Sequence, residues 1–275
     1  MGKEKIVLAY SGGLDTSVAI HWLQEKLDAQ VITATIDLGM VNLEAVKTRA
    51  LNCGAFKAIT VDGKNTFVNE FILPALRAGA LYQDQYPLAT ALGRPLIARY
   101  LTQVAKKEGA YAVAHGCTGK GNDQVRLDLG VSALAPELKI IAPIREWGMS
   151  REDELEYAHK HHIPVQVKES TYSTDENLWG RSIEAGDLEN PWAAPSEEVF
   201  AWTKDVKDTP DDPVLLEINF ENGVPLSVDG RKSNGVEMIS HLNELAGQHG
   251  IGRVDHLEDR LVGIKSREVY ESPAA

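Results

Sequence analysis

Cysteine is nearly absent. Cys53 and Cys117 stand far apart and form no CxxC pair, which excludes a disulfide framework and a thiolate zinc cage and points to a reducing compartment. Long hydrophobic runs are missing too. No stretch approaches the length of a membrane span, and MGKEKIVLAYSGG reaches a glycine turn after too few apolar residues for a signal peptide. Ile6 stands where myristoylation requires Ser or Thr. Positive charge is scarce, with 28 basic against 40 acidic residues and a net of −12. Such a surface repels phosphate backbones and anionic lipid, so neither nucleic acid nor a membrane is expected as partner, and the expected location is cytoplasmic. The rest is ordinary for a globular chain of 275 residues: 43% are hydrophobic and 25% charged, enough to bury a core without staples.

KIVLAY (5–10), AQVITATIDLG (29–39), FKAITVD (56–62), YAVAHG (111–116) and LKIIAP (138–143) read as short buried strands. Between them, DTSVAIHWLQEKL, LEAVKTRALNCG (43–54), TFVNEFILPALRAGA (66–80, broken near Pro74) and RPLIARYLTQVAKKEGA (94–110) read as helices, the first capped by Asp15. Repeated β-α-β units predict an α/β fold, a parallel twisted sheet with helices on both faces. After residue 165 the pattern becomes α+β. Residues 163–180 are polar and turn-rich, and the segment 190–213, with four prolines, reads as a long surface connection. LLEINFENGVPLSVDG (215–230) predicts a hairpin through Glu221-Asn222-Gly223. GVEMISHLNELAGQHG (235–250) predicts a helix, and RLVGIKSREVYESP (260–273) one more strand or two. Two domains are expected, 1–165 for nucleotide and 166–275 for substrate.

Two glycine-rich loops carry the chemistry. Ser11-Gly12-Gly13-Leu14-Asp15-Thr16-Ser17 lies between a predicted strand and a predicted helix. Its glycines let the backbone turn tightly and bring N–H groups to an anion. Ser11, Thr16 and Ser17 add hydroxyls, and the helix points its positive end at the same place. This is a phosphate cradle at the carboxyl end of a parallel strand, distinct from G-x-x-x-x-G-K-[ST] because no Lys follows the glycines. The rival reading is a plain Gly-Gly turn with an Asp cap; SGG alone favours it, whereas SGGLDTS between a strand and a helix favours a nucleotide. His115-Gly116-Cys117-Thr118-Gly119-Lys120-Gly121-Asn122-Asp123-Gln124-Val125-Arg126 again follows a strand and opens a helix. Thr118, Asn122 and Asp123 suit the amine and carboxylates of an amino acid. Asn122 and Arg126, four apart, share a helix face, and Arg126 can fork onto a carboxylate. A glycine-rich loop before an amphipathic helix is the plainer alternative.

SGGLDTS resembles the pyrophosphate-binding loop of the ATP pyrophosphatase superfamily, whose members split ATP between its α- and β-phosphates and adenylate a substrate oxygen. That resemblance implies a Rossmann-like sheet of the adenine nucleotide alpha hydrolase type and leaves other adenylating members, such as tRNA modifiers, open. HGCTGKGNDQVR (115–126) is similar to a signature of the argininosuccinate synthase family. AYSGGLDTS, LYQDQYPLATALGRPLIA, IIAPIREW, YSTDENLWGRSIEAG and GRVDHLEDRLVGIKSREVYESP, in this order, extend the likeness over nearly the whole chain. The resemblance implies a ligase. The ureido oxygen of citrulline attacks the α-phosphate of ATP, giving citrullyl-AMP and pyrophosphate, and the amine of aspartate then displaces AMP to give argininosuccinate. It implies that Ala9, Tyr10, Ser11, Gly12, Gly13, Leu14, Asp15, Thr16 and Ser17 hold the triphosphate. Ile36 would reach the adenine side through its backbone, and His115 and Gly116 would close over the nucleotide. Thr118, Asn122 and Asp123 would bind aspartate. Tyr86, Asn122, Arg126, Ser173, Ser182, Glu258 and Tyr270 would bind citrulline. Asp15, Asp123 and Arg126 would be the catalytic residues, and Mg²⁺ would accompany the ATP phosphates, held mostly by phosphate oxygens and water. Ala91 departs from a Ser that many members place against citrulline.

Family members continue beyond position 275 into the rest of the synthetase domain and a helical arm used in homotetramers. The expectation is therefore a partial α+β synthetase domain with an open apolar edge on its last strand, a monomer or loose aggregate, ATP binding near that of a complete enzyme, weak citrulline binding and little turnover. An ATP-binding fragment without turnover is the remaining alternative. His159, His161 and His162 read as helix-end groups that suit the dipole, in preference to a metal site. Trp22, Trp147, Trp179 and Trp192 read as packing.

Overall fold

The computed structural model of the chain describes residues 2–39, 42–164 and 172–275. In chain order its first elements are β1 (Lys5–Ala9), α1 (Leu14–Leu27), β2 (Gln30–Asp37), α2 (Leu43–Asn52) and β3 (Lys57–Asp62). Then come α3 (Lys64–Phe67), a π-helical turn (Val68–Ile72), α4 (Leu73–Arg77), α5 (Ala89–Glu108), β4 (Ala112–Ala114), α6 (Asn122–Leu134), β5 (Lys139–Ile141), α7 (Pro143–Trp147) and α8 (Arg151–Lys160). The later elements are β6 (Ser173–Asn177), β7 (Gly180–Glu184), β8 (Ile218–Glu221), β9 (Val224–Val228), β10 (Arg231–Lys232), α9 (Gly235–Gln248), β11 (Arg253–Asp259) and β12 (Lys265–Glu271). Two compact units emerge. One gathers Met1–Asp37, Val41–Asp62 and Arg94–Glu169, the other Leu38–Met40, Gly63–Gly93 and Ser170–Ala275. The expected boundary at 165/166, and residues 165–171 of the turn-rich stretch, lie outside the described residues.

The first unit is the expected parallel sheet, in the order β3-β2-β1-β4-β5. Its strands are short and apolar because both faces are covered. Ile6, Leu8, Val31, Ala112 and Ala114 pack under Val18, Ile20 and Leu23 of α1, Ala50 of α2 and Ala158 of α8. The alternate residues Val7, Ile32 and Val113 pack under Ala98 and Leu101 of α5 and Leu127 and Val131 of α6. The order reverses between β1 and β4, so both glycine-rich loops leave adjacent strands at the switch point where such sheets bind ligands.

The second unit holds two antiparallel sheets, β10-β9-β8 and β11-β12-β7-β6. The hairpin β8–β9 turns at Asn222 (φ 53°) and Gly223 (φ 75°), as the Glu221-Asn222-Gly223 sequence predicts. The open edge expected at the last strand is not found. β12 is an inner strand, paired with β11 on one side and β7 on the other. Strand β11 escapes the sequence reading because Arg253–Asp259 holds only two apolar residues, Val254 and Leu257, and their spacing breaks the period of two that marks a strand.

Pro74 does not break its helix. It sits in the first turn of α4, where a missing N–H costs little, and the π-helical turn before it carries the chain through from Lys64 to Arg77. Helix α5 begins five residues before the predicted Arg94, since the Tyr86 hydroxyl accepts the Thr90 N–H (3.0 Å) and satisfies a first-turn donor. Among the described residues no helix is long and apolar enough to cross a membrane.

Candidate functional site

The first loop starts where β1 ends at Ala9. Tyr10 turns inward: its N–H reaches Ala34 O (3.0 Å), its carbonyl accepts from Thr35 Oγ1 (2.9 Å), and its hydroxyl meets Ser17 Oγ (3.0 Å). Burial pushes its phenol up to about 12. Gly12 takes φ +84°, a conformation open to glycine at little cost. Its carbonyl accepts from Arg49 Nη1 at 2.6 Å, which holds the turn from behind. Ser11 Oγ lies 3.3 Å from Thr16 Oγ1 and accepts from Gly13 N–H at 3.4 Å. Helix α1 begins at Leu14 with Gly13 as its N-cap and no side-chain cap. The expected cap at Asp15 is therefore corrected: Asp15 lies one residue inside the helix. With no capping side chain, the first-turn amides remain available to an anion. Leu14 packs at the edge of the core, and Ile36 is buried near the carboxyl end of β2.

Asp15 faces another acid. Glu154 of α8 is 5% exposed and feels the Asp15 carboxylate, with its own Oε2 buried and unpartnered. Burial first, and the Asp15 carboxylate second, raise the Glu154 carboxyl from 4.5 to about 8. The native state thus keeps a proton that the unfolded chain loses above about 4.5, and stability falls as pH climbs from there to about 8. Glu154→Gln keeps a neutral donor and removes that dependence. It is expected to flatten the pH profile of urea unfolding between pH 5 and 8 and to raise stability above pH 8 by about 1–3 kcal/mol.

The second loop leaves β4 at Ala114. His115 is 1% exposed. Its Nε2 lies 2.7 Å from Asp128 Oδ1 and its Nδ1 accepts the Cys117 N–H at 3.2 Å. These partners fix the neutral tautomer with the proton on Nε2, and burial lowers the ring's pKa. Arg145 of α7 spans Gln124 Oε1 (2.9 Å) and Asp128 Oδ2 (3.1 Å), while Gln124 Nε2 donates to Gly119 O (2.7 Å). Gly116 lies so close to the first loop that a Cβ there would come 2.8 Å from the Thr16 methyl. Thr118 Oγ1 accepts weakly from Lys120 N–H (3.4 Å). Asn122 and Asp123 occupy the first turn of α6. Asp123 takes Arg94 on one oxygen (Nε 2.8 Å, Nη2 2.7 Å) and Arg126 Nη1 on the other (2.8 Å). Burial raises its pKa, but the two guanidiniums outweigh burial and hold the carboxyl below its usual range.

In the second unit the four-stranded sheet collects the remaining residues. Its register pairs Ser182 with both Tyr270 and Asp175, Ser173 with Glu184, and Glu258 with Ser266. With side chains alternating along each strand, Ser173, Ser182, Glu258 and Tyr270 share one face. Tyr86 stacks on Tyr270 with ring centroids 3.6 Å apart and an interplanar angle of 18°. The Tyr270 hydroxyl reaches Glu258 Oε2 (2.5 Å) and Glu268 Oε2 (2.6 Å), and burial together with these acids raises its pKa. His256 sets its ring edge-on to Tyr86 and Tyr270, with both nitrogens buried and unpartnered. Arg260 bridges Glu184 (2.7 Å) and Glu268 (2.6 Å).

Sequence reasoning misses Arg49, Arg94, Asp128, Arg145 and Glu154, whose partners lie 13 to more than 100 positions away in the chain and carry no local signature. It also misses His256 and Glu268, which the period-two spacing with Glu258 and Tyr270 indicates once β11 and β12 are paired. Trp179 is buried and donates to Pro87 O, whereas Trp192 is 92% exposed, so its reading as core packing is corrected.

The family description "Arginosuccinate synthase N-terminal HUP domain" matches residues 5–164, and "Arginosuccinate synthase C-terminal domain" matches residues 172–275. The argininosuccinate synthase of Dictyoglomus thermophilum is 58% identical over 277 residues, covering 100% of this chain and 69% of the relative. That of Symbiobacterium thermophilum is 57% identical over 278 residues, with the same two coverages, and that of Oceanobacillus iheyensis is 56% identical over 277 residues, covering 100% and 66%. Among solved structures, NH3-dependent NAD synthetase from Campylobacter jejuni aligns with 59% of this chain and 66% of its own, at 12% identity and a TM-score of 0.38. Two family descriptions in sequence along the chain, and identities above one half across the whole of this chain, leave one assignment: the chain belongs to the argininosuccinate synthase family.

Proposed function

We propose that the chain condenses citrulline with aspartate at the expense of ATP, through a citrullyl-adenylate, releasing AMP and pyrophosphate in arginine biosynthesis. The observation that carries this reading is the pair of glycine-rich loops on adjacent strands β1 and β4, at the sheet's switch point. ATP enters with Mg²⁺ on its phosphate oxygens as part of the substrate. The Gly12–Gly13 turn and the first-turn amides of α1 cradle the pyrophosphate, with Ser11 and Thr16 hydroxyls beside them. Phosphoryl chemistry of this kind rests on positioning and charge neutralisation more than on a protein nucleophile. Thr118, Asn122 and Asp123 receive aspartate. Arg94 and Arg126 keep Asp123 ionised, so it accepts a hydrogen bond from the incoming amine. On the second unit, Glu258 supplies the counter-charge for the α-ammonium of citrulline, held in place by the Tyr270 hydroxyl and the buried Tyr86–Tyr270 stack.

Formation of argininosuccinate from the three substrates, followed chromatographically, tests the reading. Within it, Glu258→Gln is expected to raise the citrulline KM about tenfold or more through the loss of one charge-assisted bond, with ATP affinity unchanged. An unchanged citrulline KM removes Glu258 from the site.

A further inference from the structure

We propose that His21, Glu25 and His161 form a binding site for one divalent transition-metal ion of the zinc class, linking α1 to the C-terminal end of α8. His21 and Glu25 are one turn apart on α1 and so project from the same side of the helix. His161 is the C-cap of α8, and the two helices pack on each other. One donor atom from each residue lies within 4.8 Å of the other two. Small side-chain rotations bring such donors to the 2.0–2.2 Å that zinc requires of imidazole and carboxylate. Two imidazoles and one carboxylate select zinc-like ions over Mg²⁺ or Ca²⁺, which prefer oxygen ligands.

Three further observations fit this role. The His21 and Glu25 side chains are 28% and 54% exposed, open to a hydrated ion. The Tyr157 hydroxyl donates to Glu25 Oε2 (2.7 Å) and lies 2.9 Å from His21 Nδ1, an outer contact of the kind that orients metal ligands. The rings of His21 and His161 lie 4.3 Å apart and those of Tyr157 and His161 4.2 Å apart, so His161 is set among the other donors and not in open solvent. The site uses none of the residues assigned to ATP, aspartate or citrulline, and its test is independent of that assignment.

The test titrates EDTA-stripped protein with Zn²⁺ by calorimetry and with Co²⁺ by visible absorption. One Zn²⁺ per chain is expected, with a thermal midpoint that rises on addition of Zn²⁺ and falls back with EDTA. His21→Ala and His161→Ala are expected to weaken binding at least tenfold, Glu25→Gln to weaken it too, and His159→Ala to leave it unchanged. Glu25 is exposed, so Glu25→Gln tests the site without threatening the fold, and the Co²⁺ spectrum reports imidazole ligation directly. Zn²⁺ affinity in His161→Ala or Glu25→Gln equal to that of the unaltered protein, or the absence of saturable binding, overturns the site.

Discussion

Glu271→Ala is expected to destabilise the second unit by about 3–5 kcal/mol, the range for removing one partner of a buried charge pair. Glu271 is 0% exposed. Its carboxylate accepts from the N–H groups of Ala201 (3.0 Å), Trp202 (2.9 Å) and Thr203 (2.9 Å), from Thr203 Oγ1 (2.8 Å) and from Arg181 Nη1 (2.8 Å). The alanine leaves those donors unpaired and the Arg181 guanidinium, 12% exposed, without this counter-ion. The same carboxylate fastens the proline-rich segment 190–213 to β12. Arg253 adds a second tie, through Thr203 Oγ1 (2.8 Å) and Thr203 O (3.0 Å). Urea unfolding followed by tryptophan fluorescence measures the loss. A midpoint unchanged from the unaltered protein shows that water replaces the carboxylate without penalty.

Gly12→Val is expected to weaken ATP binding about 10- to 100-fold, the equivalent of the 1–3 kcal/mol that a non-glycine residue pays in a sparsely populated backbone region. At φ +84° the new Cβ comes 3.4 Å from Val46 Cγ1 and 3.5 Å from Arg49 Nη1. The valine branches crowd the two side chains that hold the turn, and the backbone relaxes away from the shape that presents its amides to phosphate. Calorimetry with ATP reads the effect. Affinity equal to that of the unaltered protein excludes the turn as the phosphate cradle.

The sheet is legible in the sequence because its strands are buried on both faces and appear as unbroken apolar runs, as in KIVLAY and AQVITATIDLG. The switch point is legible because glycines interrupt the chain after two of those runs. The hairpin at Asn222-Gly223 is legible for the same local reason, a turn that demands positive φ. What escapes is non-local. The Asp15–Glu154 pair joins the first turn of α1 to α8, and no spacing announces it. Glu271 looks like one more acid in REVYESP, although five donors converge on it from up to 90 positions away. Strand β11 escapes because His256 and Glu258 interrupt its hydrophobic alternation, and those are the residues that make its face polar. The histidines at 159–162 read as helix-end charges in the sequence, and only the fold brings His161 to His21.

The measurement that bears most directly on the proposed ligase is ATP–pyrophosphate isotope exchange and pyrophosphate release by the purified 275-residue protein, with citrulline and aspartate omitted in turn. Adenylation of citrulline before aspartate acts predicts exchange with ATP and citrulline alone, no exchange with ATP and aspartate, and argininosuccinate when all three are present. Pyrophosphate release that proceeds equally well without citrulline, or exchange that requires aspartate, contradicts it.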